Sequence, residues 1–459
     1  MRHRPTWGTV TLTCIVIANM VGAGVYTTSG YSMGALGAPS RVLLAWAIAA
    51  MVALCGAVAY GELAKRIPHS GGEYLYLSQN LHPFAGFLSG WVSLTAGFSG
   101  AIALSGLTFA EYALGTSVPA ESLWRSALAA SVVVACGLGH SYLQRPTAYA
   151  QNAIVVLKLG AMFAFLAVAL ATGFSRTWYW QELTTAGPAE SDAWTALASS
   201  VMWISFSFAG FNAAIYIASE VEDARRRVPR ALVLGCLIVS AFYLLLNLVF
   251  VTATPAEEIV NQPRIAAIAA AAVGGEPLEW LVRGTIMIAT LSSVAVMIMA
   301  GPRVYARMAE DGLFLKYFSA TDGGIHRAVL LQTGLAALLA WSADIVDLLK
   351  YLGATLALSS AVCVCTLFRS RPDQHDPVRL NVGRYCCGMS PVVFVSSGVY
   401  VMATFVFMIL MAVNDPRQLL GTAATLVVGS ALWMSVPRTS AGIQTDKTSE
   451  GAKDVGGTD

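Results

Sequence analysis

Apolar stretches long enough to cross about 30 Å of hydrocarbon recur along nearly the whole chain. About twelve are found, at 8–32, 39–63, 84–112, 122–140, 147–172, 194–219, 230–252, 279–307, 327–342, 346–368, 391–412 and 417–436. Lipid offers no partner to a backbone N–H or C=O, so a repeated segment of this length has to be a helix. The ninth is short and is retained because removing it reverses the side of every later loop. A chain of 459 residues that is 56% hydrophobic and 12% charged lies far from the quarter-charged composition of soluble domains. The fold class expected is an all-α integral membrane protein.

Charge fixes an orientation. With the N-terminus inside, 20 of the 28 Lys and Arg residues fall on the cytoplasmic side, seven fall outside and Lys158 alone stays within a span. The positive-inside rule then places both termini in the cytoplasm of a cell whose plasma, or inner, membrane holds the protein. Outer loops 173–193 and 253–278 carry Trp178, Tyr179, Trp180, Glu182, Glu190, Glu257 and Glu258, as suits an aromatic belt and a less basic face. A net charge of +2 gives no reason to expect a nucleic-acid partner. Cys14, Cys55, Cys136, Cys236, Cys363 and Cys365 lie in apolar segments and read as small core residues, and Cys386-Cys387 lies in a connection on the reducing side. The first segment has no cleavage-site pattern and reads as retained. Residues 437–459 are polar and read as a disordered cytoplasmic tail.

Two spans are interrupted. Gly22-Ala23-Gly24 sits in the middle of the first, and Ser205, Ser207, Ala209-Gly210 and Asn212 interrupt the sixth at similar depth. A weakened helix is tolerated in lipid only where it lines a cavity or is buried in protein. Small residues also serve close helix packing, and that reading stands level with a ligand site for the first break alone. Paired breaks in corresponding spans favour the site. A half-helix starting after the first break offers free N–H groups and a positive dipole end, suited to a carboxylate. A half-helix ending at the second offers carbonyls, suited to an ammonium, and the two together match an α-amino acid.

GAGVY in the first span, AYGELAKRIPHSGGEYLYL after the second and SFAGFNAAIYIASEVEDARRRVPRAL from the sixth to the seventh resemble the amino acid-polyamine-organocation transporter superfamily. LTFAEYAL at the end of the third span is most similar to the L-type amino acid transporter branch. The resemblance implies a five-plus-five inverted repeat with broken spans 1 and 6: repeat one over 8–172, repeat two over 194–368, and two extra spans over 391–436. It implies that the backbone N–H groups of Ala23 and Gly24 hold the substrate carboxylate, that carbonyls of Met20, Phe206 and Ala209 take the amino group, and that Gly22 and Ser207 also belong to the substrate site. Phe206 stands where the family keeps an aromatic that closes over the substrate, and Asn212 at a polar position coupling span 6 to the substrate or its neighbours. Asn19 and Val296 are further pocket candidates. Lys158, in a Gln-x6-Lys pattern about 15 Å into span 5, resembles a built-in substitute for a coupling sodium that tethers span 5 to the unwound part of span 1. A purely structural ammonium on broken-helix carbonyls is the competing account.

Glu62, Glu73, Glu111 and Glu220 lie near span ends and read as interfacial or loop-anchoring groups, and Ser292 and Ser293 as bonded to their own helix. No acid stands at mid-depth in spans 1, 3, 6 or 8, and Val296 occupies the place of a large aromatic in arginine-handling relatives. The expected function is alternating-access transport of neutral, apolar L-amino acids, by exchange or with protons rather than sodium. Alternatives are a carrier of cationic amino acids or polyamines, or an amino acid sensor that does not transport. No cofactor, metal spacing or catalytic constellation is found, so an enzyme is not expected. The relatives' accessory glycoprotein is joined through a cysteine after span 3, and ALGTSVPAES has none, so that covalent partner is not expected.

Overall fold

The computed structural model describes residues 8–119, 122–142, 148–173, 178–179, 193–320, 323–369 and 389–435, with backbone alone for 141–142 and 148–155. The loop residues Trp180, Glu182 and Glu190, the pair Cys386-Cys387 and the tail 437–459 lie outside the described residues. Every regular element described is helical.

Span 1 is two helices, α1 (Thr9–Met20) and α2 (Gly24–Leu36), bent by 45° at the glycine break. The chain turns at Gly37 and enters α3 (Pro39–Arg66), with proline in the first turn and Lys65 and Arg66 at the C-terminal pole, the polarity a helix dipole favours. After the short α4 (Gly72–Asn80), span 3 runs as α5 (Pro83–Val92), a π-helix over Ser93–Gly100 and α6 (Ala101–Leu114). Next come α7 (Leu123–Tyr142), α8 (Ala148–Gly173) and α9 (Ala193–Phe208), the last followed by a 3-10 helix over Ala213–Glu220. The second half continues with α10 (Ala224–Thr252), the single turn α11 (Ala256–Ile259) and α12 (Ile265–Glu310), which is interrupted at Gly275 by a positive φ of 71°. It ends with α13 (Gly324–Ser342), α14 (Ile345–Arg369), α15 (Pro391–Asn414) and α16 (Leu420–Ser435).

Nine of the described helices are long and apolar enough to cross a membrane, ten when α1 and α2 count as one span. That is fewer than the twelve expected. The fifth expected span has a described apolar part of only Val156–Thr172. The ninth is the 19-residue α13, whose apolar character is diluted by His326, Arg327 and Gln332.

Helix α9 is the hub, packed on α2, α3, α14 and α15, while α10 lies along α1 and α3. The main core gathers Trp46, Phe208 and Tyr243 from α3, α9 and α10, with ring centroids 5.4 to 6.0 Å apart, within the range of favourable aromatic pairs. Away from the hub the surface is greasy. On α15, Tyr400 is 5% exposed and Met402 68%. An outward apolar face of this kind is stable against lipid and not against water. Among the six described cysteines, Cys236 and Cys363 are buried, whereas Cys14 is exposed on α1 and corrects its reading as a core residue.

Candidate substrate site at two helix breaks

The first break follows from the backbone. Val21 leaves helical geometry (φ −76°, ψ 91°), although its N–H still reaches the Ile17 carbonyl at 3.1 Å. The N–H groups of Gly22 and Ala23 make no backbone hydrogen bond among the described residues. The first N–H groups of α2 add to them, because a helix start has no intrahelical acceptor. Ala23 and Gly24 are buried and Gly22 is half-buried.

The second break lies later than the residue types suggest. Helix α9 continues through Ser205 and Ser207 to Phe208, and only 209–212 interrupts the span. Ser205 does not break the helix because its hydroxyl donates back to the Val201 carbonyl at 2.7 Å, the usual accommodation of serine within a helix. Gly210 takes φ 100°, and a Cβ there would lie 2.9 Å from the Asn19 carbonyl. Positive φ and this close approach both require glycine.

The two breaks touch. A Cβ on Gly24 would fall 2.4 Å from Ser207 Oγ and 3.1 Å from its Cα, so the start of α2 rests on α9. Ser207 Oγ is buried with no hydrogen-bond partner among the described residues. Ser207 Oγ thus adds a third unspent donor beside Gly24, which follows Gly22 and Ala23 in the chain. On the opposite pole, the Ala209 carbonyl accepts no backbone N–H among the described residues, while that of Phe206 already accepts the Ala209 N–H at 2.9 Å. The Met20 carbonyl is also engaged, by the Tyr243 hydroxyl at 2.7 Å. Tyr243 lies 3.3 Å from the Ser207 carbonyl as well, so one phenol from α10 bridges both interrupted spans. A tyrosine in an apolar run reads as core, and no local sequence signal marks this one.

Lys158 is 3% exposed. Its ammonium donates to the Ala18 carbonyl at 3.0 Å and the Val21 carbonyl at 3.1 Å, joining α8 to the end of α1. Asn212 donates to Glu73 Oε1 at 3.3 Å. Phe206 and Ala209 line a cavity behind α9, walled also by Ala53, Leu356, Ala357 and Phe407. Asn19 reaches the second break through its backbone carbonyl beside Gly210, whereas the residue is exposed and its side-chain amide donates to the Ile15 carbonyl of its own helix at 2.9 Å. Val296 is half-buried on α12 outside that cavity. Ser293 donates to the Ala289 carbonyl at 3.0 Å, within its own helix.

Paired broken spans whose breaks meet inside a multi-pass helical membrane protein are an arrangement that transporters of small solutes use. The family model for amino acid permeases matches residues 8–435, and the chain belongs to that family. It is an amino acid transporter and not an enzyme. Mouse Asc-type amino acid transporter 1 is 24% identical over 82% of this chain and 72% of its own length. Human large neutral amino acids transporter small subunit 2 is 25% identical with the same coverage. Mouse solute carrier family 7 member 13 is 26% identical over 82% of this chain and 79% of its own.

Proposed function

We propose that this protein moves neutral, apolar L-amino acids across the plasma membrane by alternating access, as an exchanger or with protons. The observation that carries this reading is the convergence of unspent donors. The N–H groups of Gly22 and Ala23 make no backbone hydrogen bond among the described residues, and the hydroxyl of Ser207, buried against the start of α2 at Gly24, has no partner among them either. Buried polar groups are nearly always paired, so a cluster of unpaired ones calls for a ligand that pairs them. A carboxylate accepts all three. The Ala209 carbonyl stands ready for the ammonium, with the carbonyls of Met20 and Phe206 offering their second lone pairs. Phe206 closes the site, and the side chain meets apolar surroundings with no acid at mid-depth. The printed names of the relatives, which include large neutral amino acids, agree with that preference.

In this reading the helices make twelve spans, with α8 and α13 completing the ten. Spans 1–5 and 6–10 form inverted repeats over 8–172 and 194–368, two extra spans occupy 391–436, and both termini face the cytoplasm. Lys158 fills the place of a coupling sodium, and no covalent accessory glycoprotein is attached. Substrate bridging the two breaks favours an occluded state, and the bundle rocks from there.

The test is a thermal-shift screen of the purified protein against the amino acids, followed by counterflow in proteoliposomes. Leucine, isoleucine, valine, methionine, alanine or phenylalanine should raise Tm by linkage and drive uptake of the labelled compound. Preference for arginine or agmatine would overturn the neutral pocket, and binding without counterflow would leave a sensor.

A further inference from the structure

The HSGGE segment at 69–73 lies far from the amino acid site in sequence, yet it grips the cytoplasmic half of span 6. Ser70 N–H donates to Ser219 Oγ at 2.7 Å, and Ser219 N–H donates to Ser70 Oγ at 3.0 Å. Gly72 has φ 63°, and a Cβ there would lie 2.3 Å from the Tyr216 ring. Residues three apart share a face of a 3-10 helix, so Tyr216 and Ser219 present one side to the loop, with Asn212 just before them.

Glu73 completes this contact. Its carboxylate is 8% exposed, and no Lys, Arg or His forms an ion pair with it among the described residues. Neutral donors surround it instead. Oε1 receives Tyr60 OH at 2.5 Å, Ser360 Oγ at 2.7 Å and Asn212 Nδ2 at 3.3 Å, and Oε2 receives Ser359 Oγ at 2.7 Å. Tyr60 stands on α3 and both serines on α14, helices that run without interruption here. Asn212 is the one donor supplied by a break, and its bond is the longest of the four. If Asn212 departs, the carboxylate keeps three donors and stays solvated by protein. A buried anion without a cation is costly unless hydrogen-bonded, and these three bonds let it remain in place while the fourth is made and broken.

We propose that Glu73 is a positioning residue for transport: a fixed acceptor on the scaffold that sets the resting place of the span 6 break through Asn212 and releases it in each cycle. It touches no substrate and acts through Asn212. The inference rests on the transport reading above.

The experiment compares the unmodified protein with Glu73→Gln and Glu73→Asp in proteoliposome leucine exchange, with Tm measured alongside. Glu73→Gln removes the charge that strengthens all four bonds and deprives Ser359 of its acceptor. Expected is a change of at least fivefold in maximal exchange rate, half-saturation within twofold of the unmodified protein, and partial recovery of rate in Glu73→Asp. An unaltered maximal rate in Glu73→Gln would overturn the inference alone. So would loss of folded protein in both variants, or rate, half-saturation and Tm falling together, because Glu73 would then only hold the fold. Failure of the unmodified protein to exchange any amino acid would overturn the transport reading, and this inference with it.

Discussion

At Lys158 one ammonium holds two carbonyls, those of Ala18 and Val21, at the point where α1 ends. Removing it leaves both without that donor, at a cost of about 1–3 kcal/mol for each group that stays buried and unpaired, but it also removes a charge from the membrane interior. The two partly cancel in stability. In the proposed transport cycle they do not cancel, because there the tether sets the unwound turn that would receive substrate. Lys158→Ala is therefore expected to lower leucine counterflow at least tenfold while lowering Tm by only a few degrees, and equal losses of both would leave a structural role alone. Tyr243 makes a subtler case. Its ring packs against Trp46 and Phe208, and Tyr243→Phe keeps that packing while freeing the Met20 carbonyl. One neutral hydrogen bond is worth about 1 kcal/mol, so Tm should fall by only a few degrees while the half-saturation for leucine shifts by roughly threefold to tenfold.

Among the elements, the two broken spans were legible to different degrees. Gly22 and Gly24 reveal the first because two glycines in three residues weaken a helix wherever they stand. The second is blurred by Ser205 and Ser207, which look disruptive and are helical; the turn depends on Gly210, whose conformation follows from its contact with Asn19. Glu73 reads as interfacial because its partners are 139 and 287 residues away in Asn212 and Ser360, beyond the reach of any local pattern. Tyr243 stays hidden for the same reason. The cavity behind α9 adds an expectation at this scale. Interiors rarely keep voids beside well-packed helices, and an empty wall behind a break gives Phe206 and Ala209 somewhere to go. Ala357→Leu, which fills part of it, should slow exchange about fivefold while leucine still raises Tm. Unaltered exchange in that variant would show the space to be idle.

For the whole molecule, helical membrane character was legible from apolar length alone; of the twelve spans expected, ten register among the described helices, α13 and the described part of α8 being too short or too polar to do so. Coupling is also a property of the whole. In the proposed reading an ammonium fills the place of a coupling sodium and repels a second cation, so imposed sodium gradients should leave leucine uptake into proteoliposomes unchanged. Clear acceleration would place the driving ion elsewhere. The part of span 6 beyond its break carries a further consequence, one of length. Its eight residues, Ala213–Glu220, are wound as a 3-10 helix, rising about 2.0 Å per residue against about 1.5 Å for an α-helix. Rewound as α-helix, the same residues would be about 4 Å shorter. In the proposed transport cycle such a rewinding would act as a piston that needs no new residues, and spin labels at its two ends should come about 4 Å closer as substrate is added; an unchanged separation would rule the rewinding out.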